Sequence, residues 1–175
     1  SSARHILEEA NDILSYDLKT LMFEGPQEQL TDTKYAQPAI YTCSAMYLEK
    51  FKSDGLDYNY VAGHSLGEYN ALLAAGVFSF SDGLKLIAQR GDAMSRMNGK
   101  GIMAAVMGLN EEELSPFMVP GVVMANLNTK TQIVISGEEA GINAIGEKLA
   151  ENKAIKFKKL RVSAAFHSPQ MKEAA

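Results

Sequence analysis

A serine flanked by glycines is the part of this sequence with the clearest chemical potential. Residues 63–67 read Gly-His-Ser-Leu-Gly, the pattern in which a serine occupies a sharp turn between a strand and a helix. Both glycines are expected to prevent collisions with neighbouring segments there. The turn would expose the Ser65 hydroxyl at a helix N-terminus, where the Leu66 amide can face a developing oxyanion. Ser65 is therefore a candidate nucleophile, although a serine that only caps a helix would fit the same pattern.

A serine nucleophile needs a base, and the chain has three histidines, His5, His64 and His167. His64 directly precedes the serine, so its side chain is expected to point to the other side of the backbone. His167 lies in Ala-Phe-His-Ser-Pro and is the better candidate to take the serine proton and return it to a leaving group. A loop histidine beside a proline, without a catalytic role, is the alternative that spacing leaves open.

The segments beside the pentapeptide predict the strand and helix that such a turn requires. Residues 58–62 are aromatic and β-branched, which predicts a buried strand. Residues 68–76 are rich in helix formers and end at Gly76, which predicts the C-terminus of a helix. Further helices are predicted over residues 2–14 and 18–23, from the residue after Pro38 to about residue 52, and over residues 81–97 with Ser81 and Asp82 at the start.

From Gly101 onward, short strands alternate with helices in the order β-α-β-β-α-β, which is typical of a ferredoxin-like unit. The sequence thus predicts an α/β chain in two parts: a larger subdomain of residues 1–100 and 161–175, and a small ferredoxin-like subdomain of residues 101–160. The predicted strands cover residues 102–107, 122–126, 132–136 and 156–162, and the predicted helices cover residues 110–117 and 138–151.

Composition excludes several classes of protein. The net charge of −4 argues against a nucleic-acid binder, since neutralising phosphates requires a basic surface. No apolar run approaches the ~18 residues of a membrane span, so no membrane association is expected. The single Cys43 excludes an internal disulfide framework and favours a reducing, cytoplasmic location. No two histidines have the spacing of metal ligands, so no metal site is predicted.

Five further motifs follow or precede the pentapeptide in a fixed order. They are Leu30-Thr31 with Tyr35-Ala36-Gln37-Pro38-Ala39-Ile40, Arg90-Gly91 with Met94, Gly101-Ile102-Met103-Ala104-Ala105-Val106, Ala125-Asn126 and Asn128 before Gln132-Ile133-Val134-Ile135-Ser136-Gly137, and Ala165-Phe166-His167-Ser168. Together with the pentapeptide they resemble the malonyl-CoA:acyl-carrier-protein transacylases, the acyltransferases of fatty acid and polyketide synthesis. The resemblance covers nearly the whole chain and implies a hydrolase-like α/β core with an inserted ferredoxin-like subdomain.

The resemblance assigns a role to each matching residue. Ser65 becomes the acylated nucleophile, His167 its base, and Leu66 the donor of one oxyanion-hole N–H. Arg90, which alone would be interpreted as a solvated helix cation, matches the arginine that pairs with the free malonyl carboxylate. The remaining substrate-binding residues implied are Gln37, Asn128, Phe166 and His64. The implied partners are malonyl-CoA and an acyl carrier protein with its phosphopantetheine arm, and no metal or redox cofactor is implied.

Two residues beside the catalytic pair suggest which acyl group is preferred. In the related polyketide enzymes, Ala-Phe-His at the base resembles the malonyl-selective form, and Phe166 would fill the space that an α-methyl group needs. Leu66 after the serine also fits the malonyl form. Because one methyl group contributes only ~1–3 kcal/mol of discrimination, the expectation is a preference for malonyl rather than an absolute rule.

Other interpretations and expectations remain open. The same elbow would serve a serine esterase or thioesterase, which needs an acid between Ser65 and His167 but gives Arg90 no task. A non-catalytic domain that docks a carrier protein would need none of Ser65, His167 and Arg90.

The basic run Lys156, Lys158, Lys159 and Arg161 is either a docking surface or a solvated edge strand. Relative to the family pattern, the chain is expected to lack an N-terminal strand with a glutamine loop and a C-terminal part.

Overall fold

The computed structural model describes residues 3–174, and contacts between Cα atoms divide the chain after Ser95 into two units. The regular elements of the first unit, up to Ser95, are all helices among its described residues, and loops connect them. The second unit, from Arg96 onward, contains a four-stranded sheet. The helices of the first unit are α1 (Arg4–Ile13), α2 (Leu18–Glu24), α3 (Gln27–Thr31), α4 (Thr33–Ser53), α5 (Gly67–Ala74) and α6 (Phe80–Ser95).

The core of the first unit lies where α4 packs against α1 and α6. Its helices place apolar residues at spacings of three and four, so that each presents one apolar side to the others. The predicted helices over residues 2–14, 18–23 and 81–97 are thus confirmed within their described residues, with ends shifted by one or two positions. Ser1 and Ser2 lie outside the described residues. The buried core residues are Ala10, Leu18, Ala39, Tyr41, Leu84 and Ile87.

The N-terminus of α6 differs slightly from the prediction of Ser81 and Asp82 at the start. The helix begins at Phe80, and Ser79 caps it by accepting a hydrogen bond from the Asp82 amide at 3.1 Å. The Ser79 hydroxyl also donates to the Asp82 carboxylate at 2.7 Å. Serine is a favoured capping residue, and it satisfies one of the unpaired amides of the first turn.

The prediction that the longest helix follows Pro38 is wrong, because α4 begins at Thr33 and contains this proline. Asp32 caps the helix, and its carboxylate accepts a hydrogen bond from the Lys34 amide at 2.8 Å. Pro38 has no N–H, so the Lys34 carbonyl lacks its usual helical donor. The helix nevertheless continues through this buried proline to Ser53.

The predicted strand over residues 58–62 is not formed either. These residues adopt neither helical nor strand conformation, and Tyr60 is 93% exposed. Tyr58 is anchored through its hydroxyl, which donates to the Ala74 carbonyl at 2.5 Å. Residues 3–95 contain no β-strand that could pair with this segment. Strand propensity produces a strand only where a neighbouring strand takes up the backbone hydrogen bonds, so the pattern alone was insufficient.

The second unit confirms the predicted ferredoxin-like order. Its strands lie in the order β2-β3-β1-β4, and every neighbouring pair is antiparallel. The strand β4 ends at Lys159, three residues earlier than predicted, and occupies an edge of the sheet. The elements are β1 (Ile102–Met107), α7 (Glu111–Leu114), a 3-10 helix (Ser115–Phe117), β2 (Val122–Thr129), β3 (Gln132–Gly137), α8 (Glu139–Leu149), β4 (Lys156–Lys159) and a second 3-10 helix (Pro169–Ala174).

One face of this sheet packs against α7 and α8 to form a separate core. Asn110 caps α7 by accepting a hydrogen bond from the Glu113 amide, and the Glu113 carboxylate accepts one from the Asn110 amide, which completes a capping box. Residues 161–174 belong to this second unit by their contacts. Their predicted membership of the larger subdomain stays a prediction. The fully buried members of the core are Ala104, Val106, Leu114, Ile133, Ile135, Ile142, Ile145 and Leu149.

None of the helices within residues 3–174 combines the length and apolar character needed to cross a lipid bilayer.

Candidate active site

Ser65 occupies a strained turn that leads into α5. Its φ angle is 53°, in the left-handed region that residues with a side chain rarely adopt. Gly63 makes this turn possible, because a Cβ there would lie 1.9 Å from the carbonyl carbon of Gly67 and 2.0 Å from its oxygen. No side chain can occupy that space without moving the backbone. The elbow therefore depends on Gly63, as the pentapeptide pattern predicts.

Gly67 contradicts the expectation that both glycines avoid collisions. A Cβ at this position would meet nothing within 4 Å among the described residues. The far end of the helix agrees with prediction, because the Gly76 amide donates to the Leu73 carbonyl and the Val77 amide to the Leu72 carbonyl, both at 3.0 Å. These two bonds form the Schellman motif that ends α5 at the predicted glycine.

The first turn of α5 leaves one amide available beside Ser65. The amides of Gly67 and Glu68 donate to the carbonyls of His64 and Ser65 at 2.9 and 3.1 Å. The Leu66 amide donates to no acceptor among residues 3–174. An amide at the start of a helix, next to the serine, has the position expected of an oxyanion donor.

Arg90, on α6, lies close to Ser65 although 25 residues separate them. Its Nη2 donates to the Ser65 Oγ at 3.3 Å, and its Nη1 donates to the Gln37 Oε1 at 2.5 Å. The guanidinium is half-buried, and no carboxylate among the described residues pairs with it. The structure thus brings together the predicted site residues Ser65, Gln37 and Arg90. The Arg90 guanidinium has no acidic partner within residues 3–174.

Two residues that sequence reasoning did not assign help to hold this cluster. Tyr69 places its ring 5.8 Å from the Arg90 guanidinium carbon, within the range of a cation–π contact. Met94 accepts a hydrogen bond from Gln37 Nε2 at 3.1 Å, and Gln37 is itself buried. Met94 belongs to a motif quoted above and Tyr69 follows the pentapeptide by two residues, but neither spacing nor residue type indicates these long-range contacts.

His64 is exposed and lines a cavity of about 610 Å³ beside the elbow. The same cavity is lined by Ser65, Leu66, Tyr60 and Asn70. All of these residues belong to the first unit. The cavity places His64 next to the nucleophile, but its role as a substrate-binding residue stays a prediction.

His167 shares an unusual backbone feature with Ser65. Its φ angle is 57°, and within residues 3–174 these two are the residues other than glycine with a positive φ. Such strain persists only where the surrounding structure enforces it, and it concentrates at functional sites. The independent occurrence of the same strain at the predicted nucleophile and the predicted base supports a functional role for both.

The loop that carries His167 is anchored within the second unit. The Ala165 amide donates to the Lys100 carbonyl at 3.0 Å, and the Gly99 amide donates to the Ser163 carbonyl at 2.7 Å. Ala165 is fully buried. The backbone before the histidine is therefore fixed, whereas the His167 side chain is exposed.

Comparison with known proteins assigns the chain to a family. The family model described as the acyl transferase domain matches residues 3–175. The chain belongs to the acyl transferase family. The malonyl CoA-acyl carrier protein transacylase of Bacillus subtilis (strain 168) is 43% identical over 182 residues, which cover 99% of this chain and 57% of that protein. The predicted family resemblance is thereby confirmed.

Solved structures of similar proteins confirm the mixed helix-and-sheet fold. An acyl-carrier-protein S-malonyltransferase from Bartonella henselae matches with a TM-score of 0.91 and 39% identity, over 99% of this chain and 59% of that one. A malonyl-transacylase in complex with its type II polyketide-synthase acyl-carrier protein matches with a TM-score of 0.91 and 34% identity, over 99% and 59% of the two chains. The chain therefore spans less than two thirds of the length of these acyl transferase relatives.

Two further predicted residues of this acyl transferase chain lie in the second unit. Phe166 is half-buried and packs against Met103, Ala105 and Val134 on the sheet face away from α8. Asn128 is exposed near the end of β2, at the second of two irregularities in the pairing with β3. Their predicted roles toward substrate remain predictions.

The part of the chain that the structure describes contains no group of three or more His, Cys, Asp or Glu side chains placed to hold a metal ion.

Proposed function

We propose that this chain carries the acylation machinery of an S-malonyltransferase. The reaction would move a malonyl group from malonyl-CoA to the phosphopantetheine thiol of an acyl carrier protein through an ester on Ser65, for fatty acid or polyketide synthesis. The position of Arg90 is the main observation that supports this proposal. The half-buried Arg90 guanidinium contacts the Ser65 hydroxyl at 3.3 Å and has no acidic partner within residues 3–174.

The position of Arg90 suits a substrate with a free carboxylate. In a malonyl ester, only two carbon atoms separate the ester oxygen from the carboxylate, so a donor this close to Oγ is within reach of it. A guanidinium stays charged at any working pH and offers two parallel donors to a carboxylate. Gln37 and Tyr69 support the guanidinium from its other sides. An acetyl group would leave this cation unpaired, which disfavours acetyl-CoA as a substrate.

Acylation would proceed by attack of Oγ on the thioester carbonyl carbon. His167 would take the hydroxyl proton as the new C–O bond forms, and the carbonyl electrons would move to the oxygen. The Leu66 amide would donate to that oxyanion. When the tetrahedral intermediate collapses, the C–S bond breaks and coenzyme A leaves with the proton from His167.

The second half of the reaction reverses this sequence with a different thiol. The phosphopantetheine thiol gives its proton to His167 and attacks the Ser65 ester, and the serine leaves with that proton. No metal or other cofactor takes part in this scheme. We also propose a cytoplasmic location, because the single Cys43 suits a reducing compartment.

The basic edge of the sheet is a candidate surface for the acidic partners of this reaction. Lys156, Lys158 and Lys159 lie exposed on or beside β4, and Arg161 follows them. Positive charge there would attract coenzyme A phosphates or an acidic carrier protein and raise the association rate. Lysines also protect an edge strand from pairing with other chains, so they have a structural reason to be present.

Phe166 supports a preference for malonyl over methylmalonyl groups. Its contacts with Met103, Ala105 and Val134 limit how far the ring can move aside. An α-methyl group would compete with a ring held in this way. We propose a preference of ~1–3 kcal/mol, because a single methyl group rarely contributes more.

Intact mass spectrometry of the full protein after brief exposure to malonyl-CoA or acetyl-CoA tests the proposal. We expect a malonyl adduct that disappears in Ser65→Ala. Arg90→Ala should weaken malonyl labelling by ~10–100-fold, because hydrogen bonds to charged groups contribute about 1.5–3 kcal/mol. Lys85→Ala removes an exposed cation from the same helix and is the matched control, with labelling unchanged.

Other outcomes would favour the alternatives. A serine esterase or thioesterase would be favoured if acetyl-CoA labels the protein as strongly as malonyl-CoA does, if Arg90→Ala leaves this labelling unchanged, and if the protein hydrolyses a neutral ester. A non-catalytic docking domain would be favoured if the protein binds a carrier protein but Ser65 is not acylated.

A further inference from the structure

We propose that Ser168 is a positioning residue that sets the orientation of His167, an inference that rests on the proposed function. Ser168 directly follows the histidine and is 8% exposed. Its Oγ donates to the Ala165 carbonyl at 2.7 Å, which closes a ring around Phe166 and His167. The side chain thus joins the two ends of the turn that presents the base.

The hydroxyl of Ser168 has a second bond that fixes its own position. The Gln170 amide donates to the same Oγ at 3.3 Å, and the Met171 amide donates to the Ser168 carbonyl at 2.9 Å. A hydroxyl can donate one bond while it accepts another, and both capacities are used here. Ser168 is thereby tied to the short helix that follows as well as to the residues that precede the histidine.

His167 needs such a constraint because its φ of 57° is unfavourable for a residue with a side chain. Without a bond across the turn, the peptide units on either side of the histidine could relax toward ordinary backbone angles. Ala165 cannot follow that movement, because its amide is bound to the Lys100 carbonyl at 3.0 Å. Relaxation would therefore be concentrated at Phe166 and His167, and it would redirect the imidazole ring.

This assignment predicts that Ser168 acts through His167 and has little effect without it. In Ser168→Ala we expect the rate of Ser65 acylation by malonyl-CoA to fall by up to about 100-fold, since misplacing a catalytic group by about 1 Å can have that effect. The full protein should remain folded by circular dichroism. In the His167→Ala background, the same substitution should cause no further loss of the residual rate.

Ser136→Ala is the matched control for this double-mutant cycle. Ser136 is fully buried on β3, and its hydroxyl has no hydrogen-bond partner in the part of the chain that the structure describes. Its removal deletes the same atom from the same unit without opening the turn at His167. We expect acylation to stay close to that of the unchanged protein in both backgrounds.

The outcomes separate this inference from the proposed function. Equal losses from Ser168→Ala with and without His167 would overturn the positioning role and leave the base assignment intact. An unchanged rate in Ser168→Ala would overturn the positioning role as well. If His167→Ala acylates as fast as the unchanged protein, both proposals fail. Should Ser168→Ala not fold, Ser168→Cys replaces it, because a thiol has similar volume but is a weak donor.

Discussion

The turns of Ser65 and His167 hold their central residues at nearly the same positive φ angle by different means. The φ angles are 53° and 57°. At Ser65, the conformation depends on the absence of atoms, because Gly67 backbone atoms occupy the space that a Cβ of Gly63 would need. At His167, it depends on hydrogen bonds, including the one from the Ser168 hydroxyl to the Ala165 carbonyl at 2.7 Å.

This difference determines what each turn can tolerate. A turn set by close backbone approach is sensitive to a single added methyl group, since backbone atoms cannot move aside cheaply. A turn closed by a side-chain bond is sensitive to the loss of a donor or acceptor, and less to small changes of volume nearby. The nucleophile and the base should therefore fail under different substitutions.

The largest effect is expected from Gly63→Ala. The new Cβ would lie 1.9–2.3 Å from the Gly67 carbonyl group and the Glu68 amide nitrogen, so the elbow must shift. We expect Ser65 acylation to fall by ~100-fold or more, because a displacement of about 1 Å at a reacting group has effects of this size. Stopped-flow or quenched mass spectrometry of the adduct measures the rate.

Gly67→Ala is the control within the same pentapeptide. Its Cβ would meet nothing within 4 Å in the described structure, and the residue begins α5. Replacing glycine by alanine at a compatible helical position stabilises a protein by about 0.4–1 kcal/mol. An equal loss of acylation in both variants would contradict the steric explanation of the elbow.

A smaller effect is expected at Gly101, which supports the loop of the base. Its φ is +77°, and a Cβ there would lie 2.3 Å from the Gly137 carbonyl oxygen and 2.8 Å from the Ala165 Cβ. Gly101→Ala should lower the free energy of unfolding by about 1–3 kcal/mol through overpacking, in addition to the backbone cost. Urea denaturation followed by circular dichroism provides the measurement.

Gly99→Ala isolates the backbone cost from the steric cost. Gly99 has a similar φ of +81°, but its Cβ would meet nothing within 4 Å in the described part of the chain. We expect a loss of about 1–2 kcal/mol, the usual cost of left-handed backbone for a residue with a Cβ. If the two variants lose equal stability, the contact with Gly137 contributes nothing.

The sequence was sufficient to predict the second unit because its signals are local. The run Ile102–Met107 is the strand that the pattern predicts, and Asn110 caps the helix that follows. Each strand there pairs with at least one other strand of the same unit. By contrast, residues 58–62 also have a strand-forming composition but no strand within residues 3–95 to pair with. Composition specifies what a segment can become, and the neighbouring elements decide whether it does.

The candidate site was only partly accessible to sequence reasoning. Ser65 follows from a motif whose mechanical basis is local. The approach of Arg90 to Ser65 required the packing of α6, and residue type alone favoured a solvated cation. Ser168 belongs to a quoted motif, but the motif does not indicate its bond to Ala165, because that bond depends on how the loop folds back.

The smallest effect concerns the helix caps of the two units, which differ in their response to acid. Asp17 caps α2, and hydrogen bonds from the Thr20 amide, the Thr20 hydroxyl and Asn11 lower the pKa of its carboxyl to about 2 from an ordinary value of 3.8. Asn110, which caps α7, does not titrate. A carboxyl whose pKa is lowered on folding stabilises the protein fully above pH 3.8, and this contribution is lost as the pH falls through about 2.

Asp17→Asn keeps an acceptor at the cap. The stability difference between this variant and the unchanged protein should therefore shrink as the pH falls from 5 toward 2, because the unchanged carboxylate becomes protonated. Asp12→Asn, on the exposed end of α1, should show no such convergence in the same urea titrations, and a constant difference for Asp17→Asn would contradict the role of the charged cap.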